Sequence, residues 1–313
     1  MSSALQLFLQ TALSRTAAWE SNAIRQMSNL TVPERIYGGR EELLRGDIHF
    51  VWARWFLESI CDPTRFLSNT KYGYAHIFRE VYTNLGALLS DTPRDEVRSL
   101  SSELAGLVLA EVIARAAKSR QSIDLDERKR IFGESVRPAR CWVCGYRFTD
   151  AAVMTFLRDE DASPVRALSF VDCMTLRGRQ ARDLLIEVDH VVPVAAGGHG
   201  GKNLRLACGW CNRHKSDNLS LYDQAFSPLR IQHPVLGVMT IPRPFWVVRL
   251  LSYRGRCEWT GGCDRTAANT ELLVAARRPS GAMNPANVTV VCESHDPLQG
   301  NRLVNNELIE VLK

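Results

Sequence analysis

Nothing in the 313 residues approaches the roughly 20 consecutive apolar positions that a bilayer-spanning helix needs, so the sequence argues against a membrane protein. The opening segment MSSALQLFLQTALSR lacks the basic stretch of a secretory leader and continues amphipathically, so no leader is expected. Strong charge of either sign is also missing. The 39 Lys and Arg against 34 Asp and Glu leave a formal charge of +5, which permits a polyanionic partner without demanding one. With 45% hydrophobic and 23% charged residues, the chain reads as a soluble globular protein long enough for two or three domains.

What the chain does have is cysteine. Nine cysteines without a leader point to a reducing cytoplasm and to thiolate ligands rather than disulfides. Seven of the nine fall into ligand-like groups, leaving Cys61 and Cys173 aside. Cys141 and Cys144 form one C-x₂-C pair, and Cys208 and Cys211 form another. Four thiolates of this spacing are what a tetrahedral structural zinc takes. Between and just after the pairs lie Asp189, His190, a Pro, a Gly-rich turn, Asn203 and Asn212. A carboxylate, an imidazole and two amides suit a second, harder cation that prefers oxygen ligands and keeps positions open for water and phosphate.

The order of these residues from about 135 to 222 resembles the HNH endonuclease family, whose ββα-metal motif is often tied together by zinc. One departure is a 44-residue insertion, 145–188, between the first knuckle and Asp189, long enough for a helix and another strand. The resemblance implies that Asp189 and Asn212 hold a catalytic Mg²⁺ or Mn²⁺ and that His190 is the general base. It makes Asn203 the middle letter of the motif, fixing the loop that carries His190. Lys215, with Arg205 and Arg213, is expected to hold phosphates. His214, about 200° around a helix from Asn212, should face away, and His199 should be an exposed loop residue.

Residues 1–134 read as an all-α domain, with apolar spacing over 3–29, 47–60, 71–89 and 94–119, the last carrying Leu100, Leu104, Leu107, Leu109, Val112 and Ile113. Trp52, Trp55, Phe56, Tyr72, His76, Phe78 and Tyr82 look like helical core, His49 like ordinary packing, and Asp47 and Asp91 or Thr92 like N-caps. The run Arg128, Lys129, Arg130, Arg137 and Arg140 reads either as a solvated face or as phosphate contacts. Beyond the motif, a Pro-rich connector leads to a helix and a second ligand group: Cys257, Cys263, Cys292 and His295. Asn287 precedes Cys292 by five residues, as Asn203 precedes Cys208, so 223–313 reads as a degenerate repeat with a second structural zinc. If Pro279 matches Pro193, Ala275 and Ala276 occupy the Asp-His positions and Asp296 the position of Asn212.

The expected fold is α+β: a helical domain (1–134), a zinc-bound ββα-metal domain (135–222) and a catalytically degenerate zinc-binding repeat (223–313). The expected activity is metal-dependent hydrolysis of DNA, in restriction or anti-phage defence, with an ATPase or other defence subunit as partner. RNA as substrate, or a zinc module that binds nucleic acid without cutting, are the other readings of the same residues.

Overall fold

The computed structural model describes residues 2–13, 21–30, 39–67, 73–116, 123–158, 161–191, 203–216 and 218–312. Helices dominate the first part: α1 (Ser2–Ala12), α2 (Ser21–Ser28), α3 (Glu41–Ile60), α4 (Tyr74–Leu88), α5 (Arg94–Ala116) and α6 (Leu125–Glu134). The 145–188 insertion contributes a helix, α7 (Asp150–Phe156), and a short strand, β1 (Phe170–Asp172). Next come β2 (Ile186–His190), β3 (Leu204–Cys208) and α8 (Gly209–Lys215). The segment with the second cysteine group follows as β4 (Leu229–His233), β5 (Gly237–Ile241), α9 (Pro244–Arg254), β6 (Leu272–Ala276), β7 (Val288–Cys292), β8 (Leu303–Asn305) and β9 (Glu310–Leu312). The fold is α+β, and among the described residues no helix is long and apolar enough to cross a membrane.

The sheets are small and antiparallel. β2 pairs with β3, β6 with β7, and β4 with both β5 and β9, while β1 reaches forward to β8. The Pro-rich connector is therefore a hairpin: Ile231 and His233 point inward from β4, and the alternation is that of a half-buried strand. Pro244 starts α9 at its first turn, where a missing N–H costs nothing, and Gly255 ends it in the left-handed conformation at φ 59°.

Two cores form. Helices α4 and α5 close one around Ile77, Val81, Ala105 and Val108. The other is continuous through both zinc segments and α9, and it takes in Leu43 from α3 and Ile131 from α6. α3 thus belongs to both cores, Leu43 at its start and Ile60 at its end. This division corrects the expectation for the α3 aromatics. Trp52, Trp55 and Phe56 are 57%, 63% and 47% exposed, because the face of α3 that packs carries Leu43, Asp47, Phe50, Arg54 and Leu57 instead. His49 and His76 are exposed as well, whereas Phe78 and Tyr82 are half-buried and stack with centroids 5.9 Å apart. On α5, Val112 is buried and Leu104 and Leu109 half-buried, while Leu100, Leu107 and Ile113 lie outside the core. Tyr72 lies outside the described residues.

Asp47 is not a cap, since α3 begins six residues earlier. Its buried carboxylate accepts from the Leu221 N–H and from Arg249, both at 2.6 Å. Tyr253 donates to Glu42 at 2.8 Å, so the first turns of α3 are bonded to the zinc part by side chains. The basic run before the first knuckle is also occupied: Arg130 pairs with Glu127 and Glu134, Arg128 donates to the Ile123 carbonyl, and Arg140 donates to the Gly145 carbonyl.

One guanidinium ties three distant segments together. Arg302 donates to both carboxylate oxygens of Asp296 at 2.7 Å, to Asp172 at 2.8 Å and to the Val274 carbonyl at 2.9 Å. All three charged residues are buried. Burial alone pushes the Asp296 carboxyl up, but the Arg302 bonds override it and hold it below its ordinary value. Removing the cation leaves two carboxylates in the interior, so Arg302→Met should cost about 3–5 kcal/mol in chemical denaturation. A loss under about 1 kcal/mol would show that this network contributes little.

Candidate active site and zinc centres

Cys141 and Cys144 lie in the turn closed by the Arg140–Arg147 bridge, Cys208 ends β3, and Cys211 sits in the first turn of α8. Their four sulfurs lie within 4.8 Å of one another, and all four residues are buried. Cys144 and Cys208 are 3.9 Å apart. A tetrahedron of Zn–S bonds has edges of about 3.8 Å, so the cluster fits zinc. The Cys208 sulfur also accepts the Cys211 N–H at 3.5 Å, capping α8. Arg177, from the insertion, donates to the Cys144 sulfur at 3.0 Å. Burial works against that guanidinium, yet the surrounding sulfurs and Asp172 raise its pKa.

The second group, Cys257, Cys263, Cys292 and His295, also has its ligand atoms within 4.8 Å. Cys263 and Cys292 are 4.0 Å apart, and His295 Nδ1 lies 3.5 and 3.4 Å from the Cys257 and Cys292 sulfurs. Mixed S and N ligands around zinc give edges of about 3.6 Å, which these match. Cys61 and Cys173 stand apart from both groups. Burial pushes their thiols up to about 11 and about 12, with nearby Glu80 and Asp172 adding to it, so they remain protonated.

The two segments repeat each other bond for bond. Ile186 faces Cys208 as Leu272 faces Cys292, and four more pairs follow in the same register, placing Ala275 and Ala276 at the Asp189 and His190 positions. Trp142 donates its N–H to the Leu206 carbonyl, as Glu258 does to Val290. Val191 donates to the Asn203 carbonyl, as Arg277 does to Asn287. The closing turn differs: α8 follows Cys208, but only a 3₁₀ turn (Glu293–His295) follows Cys292. The modules also touch. Cys144 accepts from the Leu272 N–H at 2.7 Å, and Gly145, at φ 72°, lies where a Cβ would collide with the Thr270 carbonyl.

On the first module, alternation along β2 turns Glu187 and Asp189 to one face and His190 to the other. The Asp189 carboxylate is 6% exposed and meets Trp142 Nε1 at 3.0 Å and the Lys215 ammonium at 2.8 and 2.9 Å. Lys215 also donates to the His190 carbonyl and lies 5.5 Å over the Trp142 ring. Asn212, one turn earlier on α8, donates to Glu187. The spot bounded by Asp189 and the His190 carbonyl therefore holds a cation already, the lysine's own. Such a donor set, a buried carboxylate and a carbonyl, suits a hard divalent ion.

The other expected site residues are placed as follows. The Asn203 carbonyl holds Val191, the residue after His190. Arg205 is exposed opposite Asp189 and donates to the Leu204 carbonyl. Arg213, expected to reach for phosphate, instead pairs with buried Asp183 at 2.6 Å, anchoring the insertion to α8. Lys215 likewise turns inward to Asp189, because that buried carboxylate needs a counter-charge. His214 packs edge-on against Trp210 at 4.8 Å, away from Asp189. Burial pushes its imidazole down to about 4, Arg213 acting in the same sense and Asp183 against it. His199 and Pro193 lie outside the described residues. Sequence reading missed Glu187 and Trp142 as neighbours of this site; the E-x-D alternation on β2 was the available signal for Glu187.

Comparison with curated proteins and with solved structures gives no match. Residues 178–218, which run from the end of the insertion through β2, β3 and α8, match the family model described as HNH endonuclease. In these elements the chain has an HNH endonuclease domain match, which suggests a nuclease of the HNH type.

Proposed function

We propose that this chain is a divalent-metal-dependent endonuclease that hydrolyses phosphodiester bonds of DNA, with two structural zinc ions. The observation that supports the reading is the meeting of Lys215 with Asp189 and of Asn212 with Glu187 along β2, the strand that ends at His190, on a hairpin and helix joined by four cysteines. Asp189 and Asn212, with Glu187 steering the amide, would hold Mg²⁺ or Mn²⁺, whose chemistry there is to polarise a phosphate oxygen. His190 removes a proton from water, and the resulting hydroxide forms a bond to phosphorus as the bond to the 3′-oxygen breaks. An imidazole suits this because it ordinarily titrates near neutral pH. Lys215, which bonds Asp189 here, would be free to pair with phosphate if a divalent ion supplied the counter-charge in its place. Asn203, whose carbonyl accepts from the Val191 N–H, would fix the chain just after His190; in the second module the Asn287 side chain accepts from the Arg278 N–H and donates to the Arg278 carbonyl, at 2.9 and 3.0 Å.

DNA is preferred over RNA because restriction and anti-phage defence are the roles we assign, in the cytoplasm and with a partner such as an ATPase supplying the trigger. The division into 1–134, 135–222 and 223–313 is a proposal on the same footing, with the first part serving partner contact. A plasmid-nicking assay beside a labelled RNA, with Mg²⁺ or Mn²⁺, tests the substrate. A chain that binds both and cuts neither is a zinc-built binding module instead.

Elemental analysis should find about two zinc ions per chain, and Cys144→Ser should give insoluble or readily proteolysed protein because closed zinc sites contribute directly to folding. Soluble, active protein free of zinc would remove this part of the reading.

His190→Ala should lower cleavage by about 10²–10⁴-fold while zinc content and DNA affinity stay near wild type. Near-normal cutting would overturn the base assignment.

Asn212→Ala should lose most activity and His214→Ala should keep it. Lys215→Met should cut more slowly yet saturate at lower Mn²⁺, since the ammonium no longer competes for Asp189. A metal titration unchanged in Lys215→Met would show that the lysine and the divalent ion do not share that place.

A further inference from the structure

The second module has lost the Asp-His pair, but it has gained arginine around the same place. Glu258 stands at the register position of Trp142, the residue that touches Asp189 in the first module. Three guanidinium groups converge on this one carboxylate: Arg40 at 2.7 and 2.5 Å, Arg254 at 3.0 Å and Arg277 at 3.4 Å. Its oxygens also accept from the Val290 N–H at 2.8 Å and the Thr289 hydroxyl at 3.4 Å. Glu258 is saturated, and two donors are left over: the Nε atoms of Arg40 and Arg277 are buried without a hydrogen-bond acceptor. Arg256, exposed and without an ion pair among the described residues, adds a further charge. Beside this group, and bordering the proposed zinc ligands Cys257 and Cys263, opens a cavity of about 400 Å³ whose polar lining includes Arg254, Arg256, Arg277 and Glu258, with Trp259.

Like charges packed this way cost stability unless an anion joins them. Burial and the charges of Arg40, Arg254 and Arg278 disfavour the charged Arg277, and Glu258 only partly compensates. Trp259 is 51% exposed, with one ring face stacked on His295 at 4.7 Å and 5°. An outward aromatic face next to guanidinium groups is the combination that holds a base and its phosphate.

We infer that the arginine cavity of the second zinc module grips a phosphodiester of a nucleic-acid strand, with Trp259 against a base, and holds the strand without cutting it. The choice of nucleic acid over another phosphate carrier rests on the nuclease reading of the first module. The degenerate copy then supplies grip where the first supplies chemistry.

The test uses the full zinc-loaded chain and a fluorescent DNA duplex, with binding read by anisotropy across a salt series and no added Mg²⁺ or Mn²⁺. Arg256→Gln/Arg277→Gln should melt no lower than wild type, since it relieves crowding. It should weaken binding about tenfold or more and flatten the plot of log K against log salt by about 1.8, the slope of two lost phosphate contacts. Arg94→Gln/Arg98→Gln, an equal charge change on exposed positions of α5, should bind as wild type. Wild-type binding by the cavity variant, or equal loss in both variants, would overturn the inference. So would tight binding of dTMP or inorganic phosphate to wild type alongside unchanged DNA binding by the cavity variant. Because cleavage is not measured, a chain that never cuts DNA leaves this result standing and fails only the nuclease proposal.

Discussion

The four-sulfur cluster of Cys141, Cys144, Cys208 and Cys211 is the constraint on which the rest of the first module depends. It joins a turn before a long insertion to the end of one strand and the start of a seven-residue helix. A helix that short has little stability of its own. Here it is capped by a ligand sulfur, anchored by Cys211 and braced by the Arg213–Asp183 pair, so Asn212 and Lys215 are presented to β2 from a fixed base. Thiolate charge is buried in the process, and Arg177 lies against it as a counter-charge supplied by the insertion.

The two modules show what can diverge around a shared frame. Register, knuckle bridges and the backbone bonds of Trp142 and Glu258 coincide. The side chains at matching places do different things. Trp142 contacts a carboxylate, whereas Glu258 gathers arginines. Asn212 bonds Glu187, but Asp296, in the same place after the last ligand, is held by Arg302. The frame is set by zinc-ligand spacing and strand pairing, and neither restricts the outward-facing positions.

That distinction explains what could be read from the chain alone. Cysteine spacing and the position of Asn287 relative to Cys292 place both ligand groups, and the matching of Ala275 and Ala276 to Asp189 and His190 follows the observed register. Local patterns carry that information. The exposure of Trp52, Trp55 and Phe56 was not legible, because helical spacing says that a face is apolar but not whether a partner lies against it. Nor were the inward turn of Lys215, the pairing of Arg213 with Asp183 or the meeting of Arg40 with Glu258, 218 residues away. Each is a choice between water and a buried carboxylate that depends on tertiary placement. The hairpin in the Pro-rich connector was legible in principle, from the alternation of Leu229, Ile231 and His233.

The pairing of β1 with β8 bears on the order in which the molecule can be assembled. Phe170 of the insertion matches Asn305, and Asp172 is bonded to Arg302, so contacts that support Arg177 and the first cluster arrive some 130 residues after the strand they complete. On the ribosome, all four cysteines of the first module emerge well before residues 302–305 do. The nascent nuclease unit can close around metal early, yet its insertion stays without its β partner until late in synthesis. The β1–β8 pairing and the Asp172–Arg302 bond thus join the insertion of the first module to the last strands of the chain, so the first module's contacts are complete only when the second module is present.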